Sequence, residues 1–206
     1  MPQQAMARFG KQPEGYCVSG GPPFHTPKPL LVEGDWSNAA IFLAACALGS
    51  SVAVQNLNEA SVKGDRAVGQ LLPRLEEKIT ICAADIPDLV PILAVVAACK
   101  QGAVFTDIRR LRLKESDRVA SVIAMLKALR GNAEADENTL TVYGTGLRGG
   151  KVDSVNDHRI AMAAAIGASV CQEKVTILGA ECVKKSYPRF FEEYRRLGGN
   201  YEQYLR

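Results

Sequence analysis

Apolar and polar positions along this chain alternate in two registers. Short β-branched stretches near 52–56, 79–82, 104–108, 139–143 and 175–178 predict strands. Longer runs near 36–48, 65–77, 88–99, 117–130, 157–171 and 187–196 place apolar residues at helical spacing. From Arg118 onward, Val119, Val122, Ile123, Leu126 and Leu129 fall on one stripe with charges opposite, as on an amphipathic helix. Regular alternation of this kind predicts an α/β fold with helices covering a sheet. Ahead of Gly34 the pattern is less regular. It reads as a helix at Gln3–Phe9, a strand at Tyr16–Ser19, a Gly/Pro-rich link and a strand at Leu30–Val32.

A weak internal repeat runs through the alternation. One unit leads from strand VAVQNL through the helix at Gly64-Asp65 to the helix at Pro87-Asp88. The next leads from VFTDI through KESDR to NDHR. The second unit carries NAEADENTLTVYG, a hairpin turning at Asp136-Glu137-Asn138. At the same place the first unit has only EEKITICAAD, which implies the loss of a hairpin near 77–85. Pro73 shortens or kinks the helix just before it. Gly144-Thr-Gly146-Leu-Arg-Gly149 fits the dinucleotide-binding spacing, but no helix starts inside it, so it reads as a glycine-rich loop and a short strand.

Composition narrows the function. With 206 residues, 47% hydrophobic and 23% charged, the chain has the balance of a globular protein of one large or two small domains. A net charge of +3 and 6% aromatics argue against nucleic acid as a partner. The six cysteines show no CxxC spacing and sit mostly in apolar runs. Together with only two histidines, this predicts buried thiols and no metal site. The apolar run Leu89–Cys99 is too short to span a bilayer, and MPQQAMARFG lacks the apolar stretch of a signal peptide. A cytoplasmic protein without a membrane partner is expected.

The chemistry concentrates in two knots of charge. Lys114-Glu115-Ser116-Asp117-Arg118 precedes VASVIAMLKAL, and Asn156-Asp157-His158-Arg159 precedes IAMAAAIGASV. Ser, Asp and Asn cap helices, so both knots belong at helix N-termini, where free N–H groups and the macrodipole favour anions. Each knot alone also reads as a cap with solvated ion pairs. Ile86-Pro87-Asp88 and Lys184-Lys185 have similarly plain readings at helix entries. Taken together, the four helix starts can face one rim. They then form a cationic pocket with two carboxylates, suited to a polyanion and to proton transfer.

In order and wording, LRLKESDR, NDHRIAMA, GDWSNAAIFLAA, KGDRAV, DIPDLVPILAVVAA and KSYP resemble the 5-enolpyruvylshikimate-3-phosphate synthase family, from Gly34 to the end. The resemblance implies one domain of the two-domain enolpyruvyl transferase fold, built from repeated βαβαββ units. It implies transfer of the enolpyruvyl group of phosphoenolpyruvate to the 5-hydroxyl of shikimate 3-phosphate, releasing phosphate on the route to chorismate and the aromatic amino acids. No cofactor or metal is implied. By motif, Asp88 is the base for the 5-hydroxyl and also contacts shikimate 3-phosphate. Glu115 delivers a proton to the methylene carbon of phosphoenolpyruvate. Lys114 contacts shikimate 3-phosphate, Arg118, Arg159 and Lys185 hold phosphoenolpyruvate, and His158 is a secondary contact. The UDP-N-acetylglucosamine enolpyruvyl transferases share the fold but not the KESDR and NDHR pair.

The resemblance also marks departures. Only the C-terminal half of a family member is represented. Residues 1–32 correspond to the end of an N-terminal domain and the crossover, and residues 33–206 to the C-terminal domain. Arg110 stands where some members have an asparagine. A chain lacking half of the anion-binding groups is expected to bind weakly and turn over slowly, or to be a non-catalytic ligand-binding remnant. Its natural partner is then the missing N-terminal half.

Overall fold

The structure, a computed structural model, describes residues 9–12, 15–18 and 32–204. Strands β1 (Phe9–Gln12) and β2 (Gly15–Val18) form an antiparallel hairpin. Helices α1 (Trp36–Ala47) and α2 (Val68–Arg74) follow, then strand β3 (Ile79–Cys82), helix α3 (Val90–Cys99) and strand β4 (Ala103–Thr106). Next come helix α4 (Arg118–Ala128), strands β5 (Asn132–Ala135), β6 (Thr139–Tyr143) and β7 (Gly150–Asp153), helix α5 (His158–Ala168), strand β8 (Val175–Leu178) and helix α6 (Phe190–Arg196). Short 3₁₀ turns at Gly64–Ala67, Ile108–Leu113 and Ala180–Lys185 lead toward α2, α4 and α6.

A helix that is apolar all round has to be buried. Every residue of α3 from Val90 to Ala98 is buried, as is α5 from His158 to Gly167. These two helices and α1 pack on one another and make the centre of the molecule. The layering is thus the reverse of the expected one: helices lie inside, and small sheets with one exposed face lie around them. Strand β6 shows why, with Leu140 and Val142 turned to the core and the intervening residues partly exposed.

Helix α3 crosses between the parallel strands β3 and β4, and α5 crosses between β7 and β8. The predicted hairpin at Asp136–Asn138 is present. Its strand β6 pairs antiparallel with β4, giving a four-stranded sheet in the order β3-β4-β6-β5, while β7-β8 remains two-stranded. Between α2 and β3 only residues 75–78 intervene.

Several expectations shift. The predicted strand near 52–56 is absent. Val52 and Val54 do turn inward in alternation, but the only backbone bond tying this stretch to residues 32–35 is Gly34 N–H to the Asn56 carbonyl, at 3.0 Å. The expected helix at Gln3–Phe9 lies outside the described residues except Phe9, which opens β1. Of the expected strand Leu30–Val32 only Val32 is described, and it is in none. The last helix starts at Phe190, after Pro188. Among the described residues no helix is long and apolar enough to cross a membrane.

Crowding explains two glycines of the glycine-rich loop, and a φ of 74° with open space around it explains Gly146. A Cβ on Gly144 would come within 2.1 Å of the Lys100 carbonyl oxygen, and one on Gly149 within 2.6 Å of that of Glu173.

Candidate active site

Three aspartates start the helices that matter. Asp35 Oδ1 accepts the Ser37 N–H at 2.9 Å, Asp117 Oδ1 accepts those of Val119 and Ala120 at 3.0 and 3.2 Å, and Asp157 Oδ1 accepts that of Arg159 at 2.9 Å. These caps fix the entries of α1, α4 and α5. Hydrogen bonds then draw the entries together. Arg159 Nη1 donates to the Ser37 carbonyl at 3.0 Å, and Arg118 Nη1 to the Pro87 carbonyl at 3.3 Å. The helix starts therefore share one pole of the domain, as the sequence suggested.

Arg118 is the hub of that pole. Its guanidinium is 1% exposed and meets three carboxylates: Nη1 to Asp88 Oδ1 at 2.5 Å, Nη2 to Glu115 Oε2 at 2.5 Å, and Nε to Asp157 Oδ2 at 2.8 Å. Lys114 Nζ lies 3.2 Å from the same Asp88 oxygen. Asp157 is wholly buried, whereas Asp88 and Glu115 keep a third or more of their side chains exposed. Burial pushes the Asp88 carboxyl up, but the hydrogen bond and charge of Arg118, with Arg159 and Lys114 behind them, outweigh it and hold the group below the usual aspartate range. The same contest, again won by Arg118, holds Asp157 low. Asp88 is thus a carboxylate at neutral pH, able to accept a proton.

The remaining expected residues divide. Arg159 is buried, and its Nε has no hydrogen-bond partner among the described residues. His158 is buried too, with Nδ1 unpartnered. Burial, helped by the charge of Arg159, lowers its pKa and keeps the imidazole neutral. Lys185 is exposed and reaches over to the Asn156 carbonyl at 2.7 Å. Asp88, Lys114, Glu115 and Arg118 thus form one bonded cluster; Arg159, His158 and Lys185 border it. Arg118 itself faces carboxylates rather than open space.

Sequence reasoning missed how acidic this pole is. Asp65 also belongs to it. Burial raises its pKa, and neighbouring Asp88 and Asp35 add to the rise. A close approach sets it there, for a Cβ on Gly64 would stand 2.6 Å from the Asp85 carbonyl oxygen. KGDRAV held the signal, since its Asp and Arg echo KESDR; yet Arg66 turns outward to the Glu59 carbonyl. Asn38, which bridges the Asp35 carboxylate and the Ser186 carbonyl at 3.2 and 3.3 Å, had no signal beyond its place in GDWSNAA. A groove of about 1250 Å³ between β8, α6 and residues 200–204 is lined by none of the candidate residues.

The fold is that of the enolpyruvyl transferases. It resembles EPSP synthase from Acinetobacter baumannii with a TM-score of 0.78 and 23% identity, covering 96% of this chain and 53% of the other. The enolpyruvyl transferase NikO from Streptomyces tendae follows with a TM-score of 0.57 and 16% identity, covering 82% of this chain and 44% of that one. Residues 75–194 match the family described as EPSP synthase (3-phosphoshikimate 1-carboxyvinyltransferase), and the chain belongs to that family. Among curated relatives, the 3-phosphoshikimate 1-carboxyvinyltransferase of Clostridium acetobutylicum is 41% identical over 190 residues, covering 84% of this chain and 44% of the relative. That of Clostridium kluyveri is 38% identical, covering 84% and 45%. The chain spans about half the length of the curated relatives it matches.

Proposed function

We propose that this chain carries the C-terminal half of a site that transfers the enolpyruvyl group of phosphoenolpyruvate to the 5-hydroxyl of shikimate 3-phosphate. One observation carries the reading: Asp88 and Glu115, from different elements, are held by opposite nitrogens of one guanidinium at 2.5 Å each. The reaction needs one carboxylate as base and one carboxylic acid as proton donor. Asp88, ionised and half exposed, takes the 5-hydroxyl proton. Glu115 protonates the methylene carbon of phosphoenolpyruvate, which makes the carbon beside the carboxylate accept the hydroxyl oxygen. Breaking that carbon's bond to phosphate, with return of a methyl proton, then releases phosphate and restores the double bond. Lys114 faces shikimate 3-phosphate, and Arg159 and Lys185 hold the charges of phosphoenolpyruvate, with His158 beside them. Arg118 can join them only by leaving a carboxylate; in this structure it acts from behind Asp88 and Glu115.

The reading includes incompleteness. Residues 1–32 are taken as the end of the family's N-terminal domain, and the four-residue link from α2 to β3 as the scar of a lost hairpin near 77–85. An aligned span of 190 residues that covers only 84% of this 206-residue chain, about 173 residues, supports such a loss. A turnover assay with both substrates tests the proposal, run on the chain alone and with a separately expressed N-terminal half from a relative. Slow turnover alone and a large gain on mixing are expected. Family-like rates from the isolated chain would overturn the incompleteness, and no turnover in the mixture would overturn the catalytic reading. That second result would leave a ligand-binding remnant.

A further inference from the structure

Ser116 and Ser121 take no part in the chemistry proposed above, yet they sit against its hub. Ser121 Oγ donates to the Asp117 carbonyl at 2.8 Å and lies 3.0 Å from Ser116 Oγ. Ser116 Oγ donates to Asp157 Oδ2 at 3.0 Å, the oxygen that also receives Arg118 Nε at 2.8 Å. Asp157 is 0% exposed and Arg118 1%, so surface water cannot serve either group. A buried carboxylate stays ionised when protein donors fill its lone pairs. Three do so here: Arg118, the Arg159 backbone N–H and Ser116, the last reaching across 41 residues of sequence.

A guanidinium is a planar fork. Once Asp157 fixes its Nε edge, the directions of Nη1 and Nη2 are set as well, and they lead to Asp88 and Glu115. We infer that Ser116 is a positioning residue: by holding Asp157 it fixes Arg118, so that the two carboxylates are aligned by one chain of hydrogen bonds. The inference rests on the proton-transfer roles proposed for Asp88 and Glu115. It gives the small residue between Glu115 and Asp117 a task that needs a hydroxyl.

The test compares the unaltered chain with Ser116→Ala and Ser116→Thr by NMR at pH 7, following the Arg118 Nε–H and the carboxyl carbons of Asp88 and Glu115. In Ser116→Ala, solvent exchange of the Arg118 Nε–H speeds up by about tenfold, the scale of one lost hydrogen bond. Both carboxyl signals shift with it, and Ser116→Thr restores all three. Carboxyl signals that stay in place in Ser116→Ala while the melting temperature falls would make the role purely structural and overturn the inference. So would a Thr variant that behaves like the Ala variant. If Ser116→Ala does not fold, Ser116→Cys, whose thiol is only a weak donor, reads the same bond to Asp157, with a smaller shift in the same direction expected and none overturning. These readings need no substrate, so failure of the alignment and failure of the proposed function are told apart: the first shows in the NMR signals, the second only in turnover.

Discussion

Arg118 Nε and Asp157 Oδ2 lie 2.8 Å apart with almost no solvent access to either side chain. The pair joins the start of α4 to the start of α5, and Arg118 extends the link to the loop before α3. Removing one member of a buried pair leaves the other charge unmatched, which costs about 3–5 kcal/mol. Arg118→Ala is therefore expected to lose that much stability, read as a lower urea midpoint. Arg112→Ala, whose partner Asp117 is half exposed at 3.3 Å, is expected to change it by under about 1 kcal/mol.

His158 gives the fold a pH dependence near neutrality. Its folded pKa is lowered, so the unfolded chain, with an imidazole near 6.5, binds the proton more readily. Stability from this group is complete above about 6.5 and declines as pH falls below it. Urea unfolding at pH 7.5 and 5.5 should show the loss, and His158→Gln should flatten it.

Two glycines should respond oppositely to alanine. Gly144→Ala forces a methyl against the Lys100 carbonyl, and a loss of about 2 kcal/mol or more is expected. Gly167 lies in α5, where a Cβ would meet side-chain atoms no closer than 3.4 Å; alanine there should gain about 0.5–1 kcal/mol. Paired melting curves decide both.

Lys185 is exposed and bonded only to a carbonyl. Lys185→Gln should leave stability within about 0.5 kcal/mol. On the proposed function it should weaken phosphoenolpyruvate binding several-fold and reduce its salt dependence, measured by calorimetry at two ionic strengths.

Much of this was legible in the sequence, and the rest failed for specific reasons. Caps at Asp117 and Asp157 and the hairpin at 136–138 are local matters, so short-range pattern found them. The layering was misread because α3 and α5 carry no polar face, and an apolar run does not say which neighbour covers it. Spacing places the Arg118 charge at a helix start, but it does not show the carboxylates brought to it from 30 and 39 residues away. Arg66 and Arg118 have the same local setting in sequence, and only packing sends one outward and the other in.

The three central helices run in one direction, with starts at the charged pole and ends (Cys46, Ala47, Cys99 and Lys100 among them) lining a common hollow at the other. The domain is consequently an electrically polarised body, whose field comes from peptide groups that side-chain substitutions leave in place. At one end that field favours negative ligands even though carboxylates crowd the site. At the other it opposes negative charge, in the same direction as the burial that lifts the Cys99 thiol to about 11. One alignment of backbone dipoles thus makes one pole hospitable to anions, while at the other it acts alongside the burial that keeps the Cys99 thiol protonated.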